Sequence, residues 1–243
     1  MKVLISGICG HMGRELARLA CEGFAGSSLA GGVDPFAADD SVFKSFDDVN
    51  TDFDVIIDFS NHASAKALTD FALSKNKPLV IATTGHSEAE LEMIHKASES
   101  IPVFFAANYS MGITVLIALA KQAAALMKNA EIEIVETHHD RKLDAPSGTA
   151  LAIAEAIKEQ RPDSNIVCGR SGHQKREKGD IGISSIRIGN VVGEHELIIG
   201  TQNETLRISH SAASRSMFAE GALNAAAFLI GKPAGLYKMT DLI

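Results

Sequence analysis

The chain lacks a long hydrophobic run, a cysteine pattern and an excess of positive charge, and each absence closes off a class of protein. The apolar opening, Met1-Lys2-Val3-Leu4-Ile5, gives way to glycine before it reaches the length of a secretory core, so no leader peptide is expected. Residues 113–127 form the longest apolar stretch. Lys121 and Gln122 interrupt it, and it is too short and too polar to span a bilayer. Three cysteines (Cys9, Cys21 and Cys168) fall at no metal-ligand spacing, and an odd count does not suit a disulfide framework. They read as small buried hydrophobes in a protein kept in the reducing cytoplasm. Lysine and arginine number 23 against 30 acidic residues, a formal net charge of -7. That balance disfavours nucleic acid or a membrane as partner, while a local basic pocket for a small anion stays open. Repeats and low-complexity tracts are also missing. With 243 residues and 46% hydrophobic content, the chain has ample material for a core and falls between one large domain and two smaller ones.

The first hundred residues alternate strand-like and helix-like patterns. Strands are expected at 2–6, 29–34, 54–60, 78–83 and 102–107, and helices at 12–24, 63–74 and from Ser87, where Glu90 completes a capping box. Strands that read as solid apolar runs between helices indicate a parallel sheet covered on both faces, the doubly wound Rossmann-type class. The grammar changes after a long helix at 111–127. Strands at 131–138, 184–192, 194–201 and 204–211 follow one another with short turns, which predicts a mostly antiparallel sheet, interrupted by one helix at 147–160. A last helix, 215–230, stops at Gly231-Lys232-Pro233. The predicted division is a dinucleotide-binding domain of residues 1–109 and 216–243 and an α+β substrate and oligomerisation domain of 110–215. Residues 164–182, rich in glycine, lysine and arginine, are expected to form a mobile basic loop.

Gly7, Gly10 and Gly13 stand between the first strand and the first helix. Glycines there permit a tight turn and bring backbone N–H groups against a pyrophosphate, whose charge the helix N-terminus also favours. Asp34 ends the second strand about twenty residues on, where an acid binds the adenosine ribose hydroxyls. Pro35 follows it, with no arginine near enough to receive a 2′-phosphate. NADH is therefore expected to be preferred, with NADPH as the other coenzyme admitted.

The segment Glu136-Thr137-His138-His139-Asp140-Arg141-Lys142-Leu143-Asp144-Ala145-Pro146-Ser147-Gly148-Thr149-Ala150 leaves a strand and enters a helix. His138 and Lys142, four apart, share a face in either backbone conformation. His139 turns the other way if the strand continues, so the adjacent pair is poorly arranged to chelate a metal, and none is expected. Pro146 just inside the helix, then Ser147, Gly148 and Thr149, makes a small-residue N-terminus with backbone donors suited to a carboxylate.

This segment resembles the signature of dihydrodipicolinate reductases, a match nearly complete over fifteen residues. The loop Gly7-Ile8-Cys9-Gly10-His11-Met12-Gly13 resembles that family's coenzyme loop, Thr83-Thr84-Gly85 its nicotinamide-side loop, and residues 105–112 its junction between domains. Asn61-His62 departs from the family, which usually carries a proline soon after the strand end at Phe59-Ser60. The resemblance implies NAD(P)H-dependent reduction of 4-hydroxy-tetrahydrodipicolinate in lysine and diaminopimelate biosynthesis. It implies His138 as general acid, with Lys142 both binding the substrate and steadying developing charge. His139, Ser147, Gly148 and Thr149 are the further substrate contacts it implies. On the coenzyme side it implies the loop from Gly7 to Gly13, Asp34, Phe59, Ser60, Thr83, Thr84, Gly85, Ala107, Asn108 and Tyr109. A homotetramer joined through the second domain's sheet is implied as well. Two rivals remain: another two-domain Rossmann oxidoreductase, and a non-catalytic NADH sensor. A semialdehyde dehydrogenase would need a nucleophilic cysteine, for which none of the three has the context. A sensor has no use for the His138–Lys142 segment.

Overall fold

The β-branched run at the N-terminus forms strand β1 (Lys2–Ser6), whose Val3, Leu4 and Ile5 are wholly buried, as expected of a strand covered on both faces. The computed structural model describes all 243 residues and divides into two units, Met1–Ser110 with Arg215–Ile243, and Met111–Ser214.

In the first unit β1 is followed by helix α1 (His11–Cys21), β2 (Ser28–Val33), β3 (Val55–Asp58), α2 (Ala65–Lys75), β4 (Leu79–Ile81), α3 (Glu88–Ser98) and β5 (Pro102–Phe105). The capping box expected at α3 is present, with Ser87 N donating to Glu90 Oε2 at 2.6 Å and Glu90 N to Ser87 Oγ at 3.4 Å. The six strands are all parallel, in the order β11-β5-β4-β3-β1-β2, where β11 (Gly235–Tyr237) belongs to the chain's last residues. The strand order reverses at β1, whose carboxyl end is thereby the crevice at which open α/β sheets bind ligands. Three residues are too few to carry a periodic signal, and β11 was legible only through its pairing with β5.

The second unit contains α4 (Met111–Leu126), β6 (Glu131–His138), α5 (Gly148–Lys158), β7 (Asn165–Cys168), β8 (Asp180–Arg187), β9 (Gly193–Gly200) and β10 (Thr205–Ala212). Its sheet, in the order β10-β9-β6-β8-β7, is mixed rather than mostly antiparallel. The pairs β10–β9 and β9–β6 are antiparallel, whereas β6–β8 and β8–β7 are parallel. The physical reason is that β8 and β9, adjacent in sequence, are not neighbours: β6 lies between them. Helix α5 supplies the crossover that a parallel return needs.

The expected mobile loop also contains structure. Part of it is strand β7, and Arg176 bonds Glu133 and two backbone carbonyls while Arg170 bonds Asp180 at 3.1 Å. Its arginines are turned onto the first residues of β6 and β8. A third arginine, Arg161, gathers the carbonyls of Ala124, Met127 and Ala130 at and beyond the end of α4, at 3.1, 2.5 and 2.8 Å, satisfying acceptors that a helix C-terminus leaves open. The core of this unit joins Leu116, Ile132, Ile134, Ile153, Leu197 and Ile199. Along β6 the buried positions alternate as Ile132, Ile134, Glu136 and His138, so the face that begins as core ends as a polar site.

Candidate active site

In the first unit the glycine loop is shaped by contact as well as by turn geometry. Gly7 has φ of 79°, a left-handed conformation, and a side chain there would meet the Phe59 carbonyl oxygen at 2.5 Å. At Gly13 a Cβ would stand 2.1 Å from the Gly7 oxygen, so only glycine lets the first turn of α1 rest on the loop. Asp34, 7% exposed at the end of β2, accepts from Cys9 N at 3.0 Å and from Phe36 N at 3.0 Å, one amide to each oxygen. Each oxygen keeps a further lone pair for a hydroxyl. A cavity of about 750 Å³ opens beside it, lined by Gly7, Gly10, Asp34, Phe36, Lys44, Phe59 and Ser60 among others. A second, of about 350 Å³, is lined by Gly10, His11, Met12, Phe59, Ser60, His62, Thr83 and Thr84. These volumes, the buried acid and the close-packed glycines fit a dinucleotide.

Most coenzyme residues expected from sequence thus line one of two cavities. The others play different parts. Ile8 packs its side chain against Gly32, Cys9 offers its amide to Asp34, and Gly85 turns its loop at φ 85°. Ala107 is exposed and Asn108 half-buried, its Oδ1 accepting from Ser110 N at 2.8 Å. Tyr109 is buried, with its hydroxyl donating to the Ile81 carbonyl at 2.8 Å and its own carbonyl oxygen packed against Gly221, so it holds the loop from within. Sequence reading passed over Asp58, buried at the end of β3, where Thr83 Oγ1 and Ser60 Oγ each donate to it at 2.5 Å. Burial raises its carboxyl, and the two hydroxyls oppose that rise. Asn61, where the family usually has proline, caps a short turn by accepting from Ala63 N at 3.0 Å.

In the second unit β6 delivers Glu136 and His138 to the helix-covered face of the sheet. Glu136 is fully buried. It receives His138 Nδ1 at 2.5 Å, both terminal nitrogens of Arg187 at 2.8 and 2.7 Å, and Ser147 N at 3.1 Å. Burial pushes its carboxyl up, but the bonds from Arg187, Ser185, His138 and Ser147 outweigh that and hold it at about 2. Arg187 also reaches the Asp144 carbonyl at 2.6 Å. His138 is 9% exposed, and the ring of His195 stands edge-on to it at 5.1 Å. Burial, then the neighbouring His138, lowers His195 to about 4, so it is neutral at physiological pH. Its Nε2 bonds Ser147 Oγ at 3.2 Å.

Ser147 is the N-cap of α5, accepting from Ala150 N at 3.2 Å, and the helix begins at Gly148. Pro146 therefore precedes the cap instead of lying inside the helix. Gly148 is exposed, with nothing within 4 Å of where a Cβ would stand. Lys142 pairs with Asp144 at 2.9 Å, and His139 is half-buried just past the strand end. No group of three or more metal-ligating side chains is present. Glu136 could have been suspected from sequence, since an acid two residues before His138 shares its face. Arg187 and His195 carried no such signal, because only sheet pairing brings them to β6.

Known proteins match the chain along its whole length. The family model "Dihydrodipicolinate reductase, N-terminus" matches residues 1–109 and "Dihydrodipicolinate reductase, C-terminus" residues 112–243. The chain is 46% identical to the 4-hydroxy-tetrahydrodipicolinate reductase of Caldanaerobacter subterraneus subsp. tengcongensis, over all of this chain and 98% of that one. It is 41% identical to the protein of the same name from Clostridium tetani, covering 97% of the latter. Among solved structures, a dipicolinate-bound dihydrodipicolinate reductase from Paenisporosarcina sp. TG-14 superposes with a TM-score of 0.80 at 25% identity, covering 98% of this chain and 97% of that one.

The buried histidine has a consequence for stability. As pH falls below 6.5 the unfolded chain protonates His195 while the folded chain does not until about 4, so stability declines through that window and no further below it. Glu136 acts lower, its contribution being lost between 4.5 and about 2. Denaturant unfolding is expected to show His195 costing about 2 kcal/mol between pH 7 and pH 5, a loss that His195→Gln largely abolishes. Equal losses in the two proteins would refute this.

Proposed function

The chain belongs to the dihydrodipicolinate reductase family, and on that premise we propose that it reduces 4-hydroxy-tetrahydrodipicolinate to tetrahydrodipicolinate in the lysine and diaminopimelate route. The observation that carries this reading is His138, a buried imidazole bonded through Nδ1 to Glu136 and followed in the same segment by Lys142 and the small-residue head of α5.

The substrate ring bears two carboxylates and, after loss of water, a conjugated imine. Reducing it requires one hydride and one proton. A nicotinamide coenzyme held by the glycine loop and Asp34 would supply the hydride. His138 gives the proton from Nε2 to the carbon beside the one reduced, since its Nδ1 is committed to Glu136. Lys142 exchanges its pairing with Asp144 for a ring carboxylate, and the first-turn amides at Gly148 and Thr149 share that anion. The same ammonium steadies negative charge that builds on the ring as hydride arrives. His139, next to the acid, is a further contact to the substrate.

For the coenzyme, Asp34 is the acceptor for the adenosine ribose hydroxyls, and its charge opposes a 2′-phosphate. Lys44 lines the same cavity. It stands ten residues beyond Asp34, too far along the chain for a local pattern to tie it to that acid. NADH is therefore the preferred coenzyme, with Lys44 allowing NADPH to be used. The second unit's sheet turns Thr137, Ser184, Ile186 and Ile198 away from its core, and all are exposed or half-buried. This face is the surface that joins four copies, covering apolar residues that water otherwise meets. Light scattering is expected to give the mass of four chains, and a monomer would refute the assembly. No helix is long and apolar enough to cross a membrane, and three free cysteines suit a cytoplasmic enzyme.

The test is a coupled assay in which pyruvate and aspartate semialdehyde pass through the preceding synthase while coenzyme oxidation is followed. Synthase-dependent oxidation is expected, with a lower KM for NADH than for NADPH; none with either coenzyme would refute the reductase. Lys44→Ala is expected to raise the NADPH KM alone, and an unchanged value removes Lys44 from that role. His138→Gln is expected to lower turnover on the order of a hundredfold, and near-normal turnover would remove His138 as the acid.

A further inference from the structure

We infer that Glu136 is a positioning residue that dictates which nitrogen of His138 exchanges the proton and locks that nitrogen to the carboxylate-holding head of α5. The inference rests on the reductase reading above and deepens it.

Glu136 occupies a core position, two residues beyond Ile134 on the buried face of β6. A carboxylate there is stable only if its lone pairs are answered. Arg187 alone nearly answers them, with one nitrogen on each oxygen. A counter-ion role would end at that fork. Two more donors converge on the same group, His138 Nδ1 at 2.5 Å and Ser147 N at 3.1 Å. An ionised carboxylate only accepts, so the Nδ1 facing it carries hydrogen in the neutral ring and in the cationic ring alike. Nε2 is then the one nitrogen free to gain and lose a proton.

The surroundings of Nε2 agree with that role. A Cβ at residue 193 would stand 3.0 Å from it, and residue 193 is glycine, so no side chain presses on the nitrogen. Ser147 N couples the same carboxylate to the turn that opens α5, so the acid and the anchor for the substrate's carboxylate are held to one point. The other charged or titratable groups around His138 are Arg187 on β8, His195 on β9 with His210 beyond it on β10, and Lys142 and Asp144 on the loop that follows β6. Glu136 is the negative charge bonded directly to the ring.

The tautomer can be read without any variant. The ¹⁵N spectrum of the whole enzyme with bound coenzyme, at alkaline pH, is expected to show His138 protonated at Nδ1 and bare at Nε2. Glu136→Gln is expected to lower kcat on the order of a hundredfold with little change in KM. In its ¹⁵N spectrum the same variant should lose the fixed Nδ1–H tautomer, because an amide in place of the carboxylate can donate as well as accept. Arg187→Lys keeps the carboxylate and a cation, and is expected to leave the tautomer in place. A merely structural Glu136 would reduce the active fraction and leave the tautomer as it was, which would overturn the inference. So would an Nε2–H tautomer in wild-type enzyme that turns over the ring. Should the Gln variant fail to fold, the wild-type tautomer decides. A wild-type enzyme with the expected tautomer and no turnover would overturn the reductase reading instead.

Discussion

A carboxylate placed in a dry core must be met by donors on every side, and Glu136 imposes that demand on the whole second unit. Arg187 has to reach it from β8, Ser147 from the start of α5 and His138 from two residues along β6. These constraints join a strand, its parallel neighbour and the helix that crosses between them. They also explain why the crossover matters. If β8 paired with β9, as short turns suggest, Arg187 would not lie opposite His138 in the register that the structure shows.

The first unit solves a related problem at its strand ends. Asp34 and Asp58 are both buried acids, one at the carboxyl end of β2 and the other at that of β3. Asp34 is met by amides of Cys9 and Phe36, Asp58 by the hydroxyls of Ser60 and Thr83. Each thereby fixes a loop that lines a cavity at the sheet's carboxyl edge. Parallel strands end on one edge of a sheet, so the loops they carry gather on that edge too. The glycines at 7 and 13 then allow helix and loop to approach within contact distances that a side chain would forbid.

Much of this was legible in the residues, and the limits of legibility have physical causes. The βα alternation of the first hundred residues predicted the parallel sheet because buried strands need apolar side chains on both faces. The segment from Glu136 to Ala150 pointed to proton transfer and carboxylate binding because histidine, lysine and a small-residue helix start are the groups that do those things. Strand β7 was hidden inside a run that reads as loop, and β11 was too short to show a period. The order of strands in the second sheet was misread because turn length limits which strands can pair without deciding which ones do.

Local pattern therefore determined the classes of element, the glycine turn, the acid at the end of β2, and the grouping of histidine, lysine and small residues between 136 and 150. It could do so because side-chain period and turn stereochemistry act over a few residues. Tertiary structure alone decided that Arg187 and His195 flank His138, that Lys44 shares a cavity with Asp34, and that Glu136 is buried among four donors. Those arrangements join residues ten to more than fifty positions apart, and only the pairing and packing of whole strands brings such groups within hydrogen-bonding or contact distance.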